Sequence, residues 1–391
     1  MQTPFALVSN MQTLDILDRL IAFPTVSRDS NLDLIHFVRD FLASLGIESR
    51  LYVDASGRKA NLYAAVGPQD KGGVLLSGHT DVVPVDGQPW TSDPFRLAER
   101  AGRVYARGAA DMKGFIACAL AAADRASRRA LSVPLQLAFS YDEEVGCLGV
   151  RSLIDDMSTW AERPRFCIVG EPTLLRTAVG HKGKTALAAT CHGHAAHSAN
   201  PDRGVNALYL AADLMTRVRV CQAEIKATGA RDEAYEVPYT TLHVGVARGG
   251  TALNIVPDRC ELALEIRNLA TDDPHAIVSR LRSEANGIAG AASVPGLTAR
   301  IDLDVVNEYP GLDTPADHEI VALVAELTGL PGTIKVGFGS EGGLFTGRVG
   351  IPTVVCGPGS IDQAHKPDEY IEVDQLARCD AMLEALLARL A

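Results

Sequence analysis

Four apolar runs in this chain each end within a few residues of a histidine or an acid, and that shared ending restricts the folds available. Gly73 to Ser77 leads into His79 and Asp81, and Val133 to Tyr141 into Glu143 and Glu144. Arg165 to Val169 leads into Glu171, and Pro352 to Cys356 into a loop that carries His365. Runs this short and apolar read as buried strands. Helical patterns lie among them: Leu14 to Ala22, stopped by Pro24; Leu32 to Leu45, closed by Gly46; and an Ala-rich stretch from Met112 to Arg128 behind Asp111. A helix from about Asp317 to Leu327 and a final helix from Gln375 complete the pattern. Such alternation predicts an α/β fold with a mostly parallel sheet covered by helices on both faces. Open sheets of this kind collect ligands at the carboxyl ends of their strands, where these residues fall.

The texture changes after Glu171-Pro172. Thr185 to Cys191 alternates like a half-exposed strand, Val205 to Val220 is helical, Tyr239 to Val246 and Cys260 to Ile266 are strands, His275 to Ile288 is helical, and Leu297 to Val305 alternates again. The order β-α-β-β-α-β describes a small α+β two-layer module over 183–308. It is inserted into a discontinuous larger domain, 1–182 and 309–391. With 47% apolar and 22% charged residues the chain can build two cores. A net charge of −11 argues against nucleic acid and anionic membranes as partners. No apolar run reaches membrane-span length, and the N-terminus lacks a signal-peptide pattern. The eight cysteines are scattered without a C-x-x-C pair. They are expected to be reduced and buried in a cytoplasmic protein.

Taken singly, each polar residue at a strand end has a plain explanation. Asp111 could cap a helix, Glu143-Glu144 could be a solvated turn, and His365 a loop histidine. Their joint placement on one sheet favours a shared site. Asp81 lies two residues beyond His79, so an extended backbone points both side chains the same way and the carboxylate can orient the imidazole. Two histidines and three carboxylates suit two divalent ions if one carboxylate bridges them. Imidazole favours Zn2+, with Co2+ or Mn2+ as alternatives. Paired ions ~3.5–4 Å apart can present a nucleophilic water and polarise a carbonyl. The glutamate left over from the Glu143-Glu144 pair would serve as general base; spacing alone does not say which one it is. Gly337-Phe-Gly-Ser-Glu-Gly342 fits a dinucleotide fingerprint, but too few residues precede the next strand for the long helix of that unit.

The segments Gly78-His-Thr-Asp81, Gly108-Ala-Ala-Asp-Met-Lys-Gly114, Asp142-Glu-Glu144, Gly170-Glu-Pro172, Gly193-His-Ala-Ala-His-Ser198, Asn254-Ile-Val-Pro257 and Ala364-His-Lys-Pro367 resemble the M20 metallopeptidase family in order and over nearly the whole chain. The resemblance implies a zinc-exopeptidase-like catalytic domain with an inserted lid that forms a homodimer. It implies that His79, Asp111 and Glu171 hold one ion and Asp111, Glu144 and His365 the other. It makes Glu143 the base, Asp81 the orienting group of His79, and the Asp111–Met112 peptide cis. It also implies that His197, rather than its neighbour His194, donates to the developing oxyanion, and that Asn254 and Arg267 grip a substrate carboxylate.

Within that family, Gly357 to Tyr370, Trp90 to Phe95 and Val237-Pro-Tyr-Thr240 are most similar to the branch that converts N-acetyl-L-ornithine to L-ornithine and acetate in arginine biosynthesis. Glu341 is then the expected partner of the substrate's distal ammonium. The alternatives are other activities of the family, toward N-succinyl-diaminopimelate, other N-acyl amino acids or carboxypeptidase G-type substrates, and, more remotely, a binding relative without catalysis.

Overall fold

The computed structural model describes residues 12–391; the N-terminal stretch read above for a signal peptide lies almost wholly outside them. The described chain forms two compact units. One runs up to Gly180 and takes in Leu312–Lys335 and Ser340–Ala391; the other comprises His181–Gly311 and Val336–Gly339.

The first unit is built on a mixed sheet ordered Ser49–Val53, Ala60–Val66, Leu135–Ser140, Val74–His79, Phe166–Pro172, Thr353–Gly357, Thr177–His181 and Leu312–Asp313. Its four central strands, Leu135–Ser140 to Thr353–Gly357 in that order, are mutually parallel. Their register is close, with His79 level with Ser140, Ser77 with Val169 and Val355 with Val169. The carboxyl ends of all four therefore open side by side.

Side-chain alternation assigns the faces. Val74, Leu76, Leu135, Leu137, Phe139 and Ile168 share a core with the helices Thr13–Ile21, Leu32–Ser44, Gly114–Ser127, Glu319–Thr328 and Val373–Leu390. Each such buried aliphatic or aromatic side chain contributes about 1.5–3 kcal/mol. Residues of the other parity, including Leu75, Ser77 and Ala138, lie outside that core; Val150–Met157 packs on Gly342–Val349, which in turn meets Phe166–Pro172 and Thr353–Gly357. The Ala-rich helix Gly114–Ser127 is buried along almost its whole length. Gly170 is needed beneath it, because a Cβ there would sit 2.0 Å from the Phe115 ring. The helix begins at Gly114 rather than Met112, since Asp111 and Met112 have non-helical backbone angles.

The second unit carries an antiparallel sheet ordered Thr241–Gly249, Arg259–Asn268, Gly183–His192 and Arg300–Tyr309. Helices Ala207–Thr228 and Pro274–Ala292 cover one face, in the β-α-β-β-α-β order expected. Asn206 and Asp273 cap these helices by accepting from Leu208 N and His275 N. Along Gly183–His192 buried and half-buried residues alternate strictly, as in a strand with one packed face. All eight cysteines are free and buried. Among the described residues no helix is long and apolar enough to cross a membrane.

Candidate metal centre

The four central strands deliver their terminal residues to one place. His79 is the last residue of Val74–His79, and Glu171 lies within Phe166–Pro172, so both ride on rigid strands. Glu143 and Glu144 sit on a tight turn after Leu135–Ser140, where Gly146 N and Cys147 N both donate to the Glu143 carbonyl. Asp111 projects from the irregular turn Ala109–Lys113, and its peptide bond to Met112 is cis. His365 occupies a loop with φ +62°.

Asp111 lies between the two histidines. Its Oδ1 is 3.0 Å from His79 Nε2 and its Oδ2 is 3.2 Å from His365 Nε2. Glu171 Oε1 lies 3.7 Å from His79 Nε2, and Glu144 Oε2 3.1 Å from His365 Nε2. Two sets of potential ligand atoms cluster within 4.8 Å: those of His79, Glu143 and Glu171, and those of His79, Asp111 and Glu144. Glu143 thus shares the cluster, but its side chain bonds to neither histidine; its Oε1 accepts from the buried Cys147 thiol at 3.3 Å.

Asp81 acts less directly than its spacing suggests. His79 Nδ1 is 2.9 Å from the Asp81 backbone carbonyl, and the carboxylate stands at 3.6 Å, beyond hydrogen-bond range. That carboxylate instead accepts from Ser27 Oγ and from the backbone N–H groups of Glu143 and Glu144, pinning the glutamate turn.

Crowded carboxylates dominate the electrostatics. Burial, reinforced by Glu144, Glu341 and Asp111 against the pull of His79, pushes Glu143 to about 8. Burial and the Asp111 charge push Glu144 to about 7 and Glu171 well above the ordinary range. Hydrogen bonds to Asp111 and Glu144 raise His365 to about 10. Burial disfavours the His79 cation, yet Glu171, Asp111 and Asp81 together raise its pKa. Among the described residues no Lys or Arg forms an ion pair with Asp111, Glu143, Glu144 or Glu171. Converging nitrogen and oxygen donors with surplus negative charge and no side-chain cation beyond the two histidines fit divalent ions, whose charge would reverse these upward shifts.

Glu341 departs from its expected place at the side-chain end of a substrate pocket. It is 1% exposed, at the start of Gly342–Val349, and its Oε2 accepts from Ser77 Oγ at 3.2 Å. Its Oε1 is buried without a hydrogen-bond partner, and its charge adds to the burial that raises Glu143.

Within the second unit, Ala196–His197 pairs with Ile255–Val256, and Ser198 N donates to the Asn254 carbonyl, so His197 and Asn254 stand together on exposed chain. His197 Nδ1 accepts from Ala199 N. The competitor His194 has its Nε2 3.0 Å from the Thr298 carbonyl. Arg267, half-buried on Arg259–Asn268, donates to Tyr309 Oη and pairs with Glu265.

The sequence reading assigned no role to Ser27, Gln88, Arg107 or Glu369, all of which bond to the segments that carry the cluster. A buried Arg and Glu far apart in sequence leave no local pattern.

A family model described as peptidase family M20/M25/M40 matches residues 75–389. Acetylornithine deacetylase of Shigella sonnei (strain Ss046) is 37% identical over 370 residues, 92% of either chain. Among solved structures, an M20 family metallo-carboxypeptidase from Sulfolobus solfataricus has a TM-score of 0.78 at 19% identity, over 97% of this chain and 99% of its own. A dinuclear metal binding peptidase of the M20 family from Bacillus subtilis has a TM-score of 0.68 at 15% identity, over 97% of each chain. At such identities the two structures speak for the fold.

Proposed function

Since the chain belongs to peptidase family M20/M25/M40, and so is a hydrolase, we propose that it cleaves the amide bond of Nα-acyl amino acids with two divalent ions, N-acetyl-L-ornithine being the preferred substrate. The observation that carries the two-ion reading is Asp111, whose two oxygens face two different histidines, each with a further glutamate beside it. His79, Asp111 and Glu171 would hold one ion, and Asp111, Glu144 and His365 the other. The donor set favours Zn2+, with Co2+ or Mn2+ as alternatives. When bound, the ions supply Lewis acidity toward the amide carbonyl and acidify water.

The chain's own residues do the rest. Glu143, which bonds to neither histidine, takes a proton from the attacking water as oxygen adds to the carbonyl carbon. It returns that proton to the nitrogen as the carbon–nitrogen bond breaks, releasing acetate and a free amine. Asp81 keeps Glu143 in place through the backbone of its turn. To the second unit we assign a lid role: Arg267 and Asn254 for the substrate carboxylate, and His197 as donor to the oxyanion. His197 is preferred to His194 because the Thr298 carbonyl engages the latter. The exposed apolar side chains Leu208, Tyr209, Leu253, Ile255 and Val294 border one hollow of this unit, which supports a homodimer formed through it.

The acetylornithine reading rests on the identity to the Shigella sonnei protein. The test is hydrolysis of N-acetyl-L-ornithine beside N-succinyl-diaminopimelate and N-acetyl-L-methionine by metal-reconstituted protein. Preference for acetylornithine, abolished by chelator, is expected. Chelator-sensitive preference for another substrate would overturn the specificity and keep the chemistry.

A further inference from the structure

The two ligand sets differ in how they are held. His79 and Glu171 belong to central strands and are 1% and 3% exposed. Glu144 and His365 belong to loops, and the His365 side chain is 50% exposed. A histidine that open to water has many rotamers and a loop backbone free to shift, so a metal site built on it needs an external hold.

A hydrogen-bonded chain supplies one. Glu369, four residues past His365, is 1% exposed and reaches into the Asp111 turn. Its Oε1 accepts from Ala110 N at 2.9 Å and from Asp111 N at 3.1 Å; its Oε2 accepts from Gly108 N at 3.1 Å and from Arg107 Nη1 at 2.7 Å. Arg107 is equally buried, lies over the Trp90 ring and donates through Nη2 to Gln88 Oε1 at 2.6 Å. Gln88 Oε1 also accepts from Trp90 Nε1. The amide nitrogen of Gln88 then donates to the backbone carbonyl of His365 at 3.1 Å. The path runs from the Asp111 amide through Glu369, Arg107 and Gln88 to His365. It ties the residue placed to bridge the ions to the most exposed of the ligands. Asp368 secures the same loop by accepting from Thr91 N and Oγ1.

We propose that Gln88, Arg107 and Glu369 are positioning residues that set the affinity of the Asp111–Glu144–His365 ion while leaving the His79–Asp111–Glu171 ion largely to the strands. The inference rests on the two-ion reading above. None of the three touches a metal or substrate; they act through the backbone that carries His365 and Asp111. Groups that orient metal ligands in this way are typically worth about 10–100-fold in metal affinity.

The test is metal content per chain of the full-length holoprotein after graded dialysis against chelator. Gln88→Met keeps the bulk of the side chain and spares the buried Arg107–Glu369 pair. It should lose one ion at a chelator concentration about tenfold or more below that needed for wild type, the other ion being released as in wild type. The melting temperature of metal-free Gln88→Met should match wild type. Two ions held as tightly in Gln88→Met as in wild type would overturn the network alone. Equal loosening of both ions in Gln88→Met would overturn it too, since a general loss of structure predicts that. A wild-type chain that binds a single ion would overturn the two-ion reading and this inference with it.

Discussion

Asp111 Oδ1 lies 3.0 Å from His79 Nε2, and the second oxygen of the same carboxylate faces away from it, toward His365 at 3.2 Å. Opposite orientation of the two oxygens is what a bridging carboxylate requires. Despite burial, hydrogen bonds from the two histidines hold Asp111 below the usual carboxylate range. Asp111→Ala should abolish binding of both ions, measured as metal per chain, and lower kcat/KM by about 10³-fold or more, since bound ions supply several kcal/mol to the transition state.

Glu143 should separate from the ligands in its phenotype. Glu143→Gln keeps the size of the side chain and the hydrogen bond from its own amide to Asp81. Metal content should stay at the wild-type level while kcat falls about 10²–10⁴-fold with little change in KM, the signature of a lost general base. Loss of metal in this variant would move Glu143 into the ligand set, a place that its nearness to His79 and Glu171 leaves open to direct measurement.

Burial of Glu341 beneath Ser77 leads to an expectation about specificity. Glu341→Gln should leave the preference for acetylornithine over N-acetyl-L-methionine unchanged, read as the ratio of kcat/KM values. A selective loss on acetylornithine would restore the distal ammonium as its partner.

The sheet and the gathering of polar residues at its strand ends were legible because both depend on local patterns. Strands such as Val74–His79 and Phe166–Pro172 are short apolar runs, and a parallel sheet sends every such run to the same edge, so a polar residue at each end becomes a cluster. The module with the β-α-β-β-α-β order was legible for a similar reason, since the alternation along Gly183–His192 marks a one-faced sheet. What stayed hidden depends on tertiary contact. Glu369 reads as part of a polar loop in sequence, yet three backbone N–H groups and Arg107 converge on it. Glu341 reads as a loop acid in a Gly-rich run, yet the helix Gly342–Val349 carries it against the sheet. Asp81 was placed correctly beside His79, but the choice between its carbonyl and its carboxylate depends on ångström-scale geometry that no spacing encodes.

His181 makes stability depend on pH in a direction that can be stated. The side chain is fully buried, Nδ1 lies 3.0 Å from the Lys182 carbonyl, and Nε2 has no hydrogen-bond partner. Burial, with the Arg267 charge adding to it, lowers its pKa to about 4. The unfolded chain takes up this proton near 6.5, and the folded chain only near 4, so the unfolded state binds more protons between those values. The stability contributed by the neutral, buried ring is complete above pH 6.5 and is lost as pH falls toward 4. The loss reaches roughly 3 kcal/mol at the low end. His181→Gln should lack this component. Its melting temperature relative to wild type should rise as pH is lowered from 7.5 to 4.5, with both proteins metal-free. A constant difference across that range would show that the ring is protonated in the fold.

The central claim is that Asp111 sits between two metal ions, and anomalous diffraction from crystals of zinc-loaded protein reads this directly. The account predicts two peaks per chain, ~3.5–4 Å apart, one beside His79 and Glu171 and the other beside Glu144 and His365, with one Asp111 oxygen on each. A single peak, or a second peak away from Asp111, would contradict it.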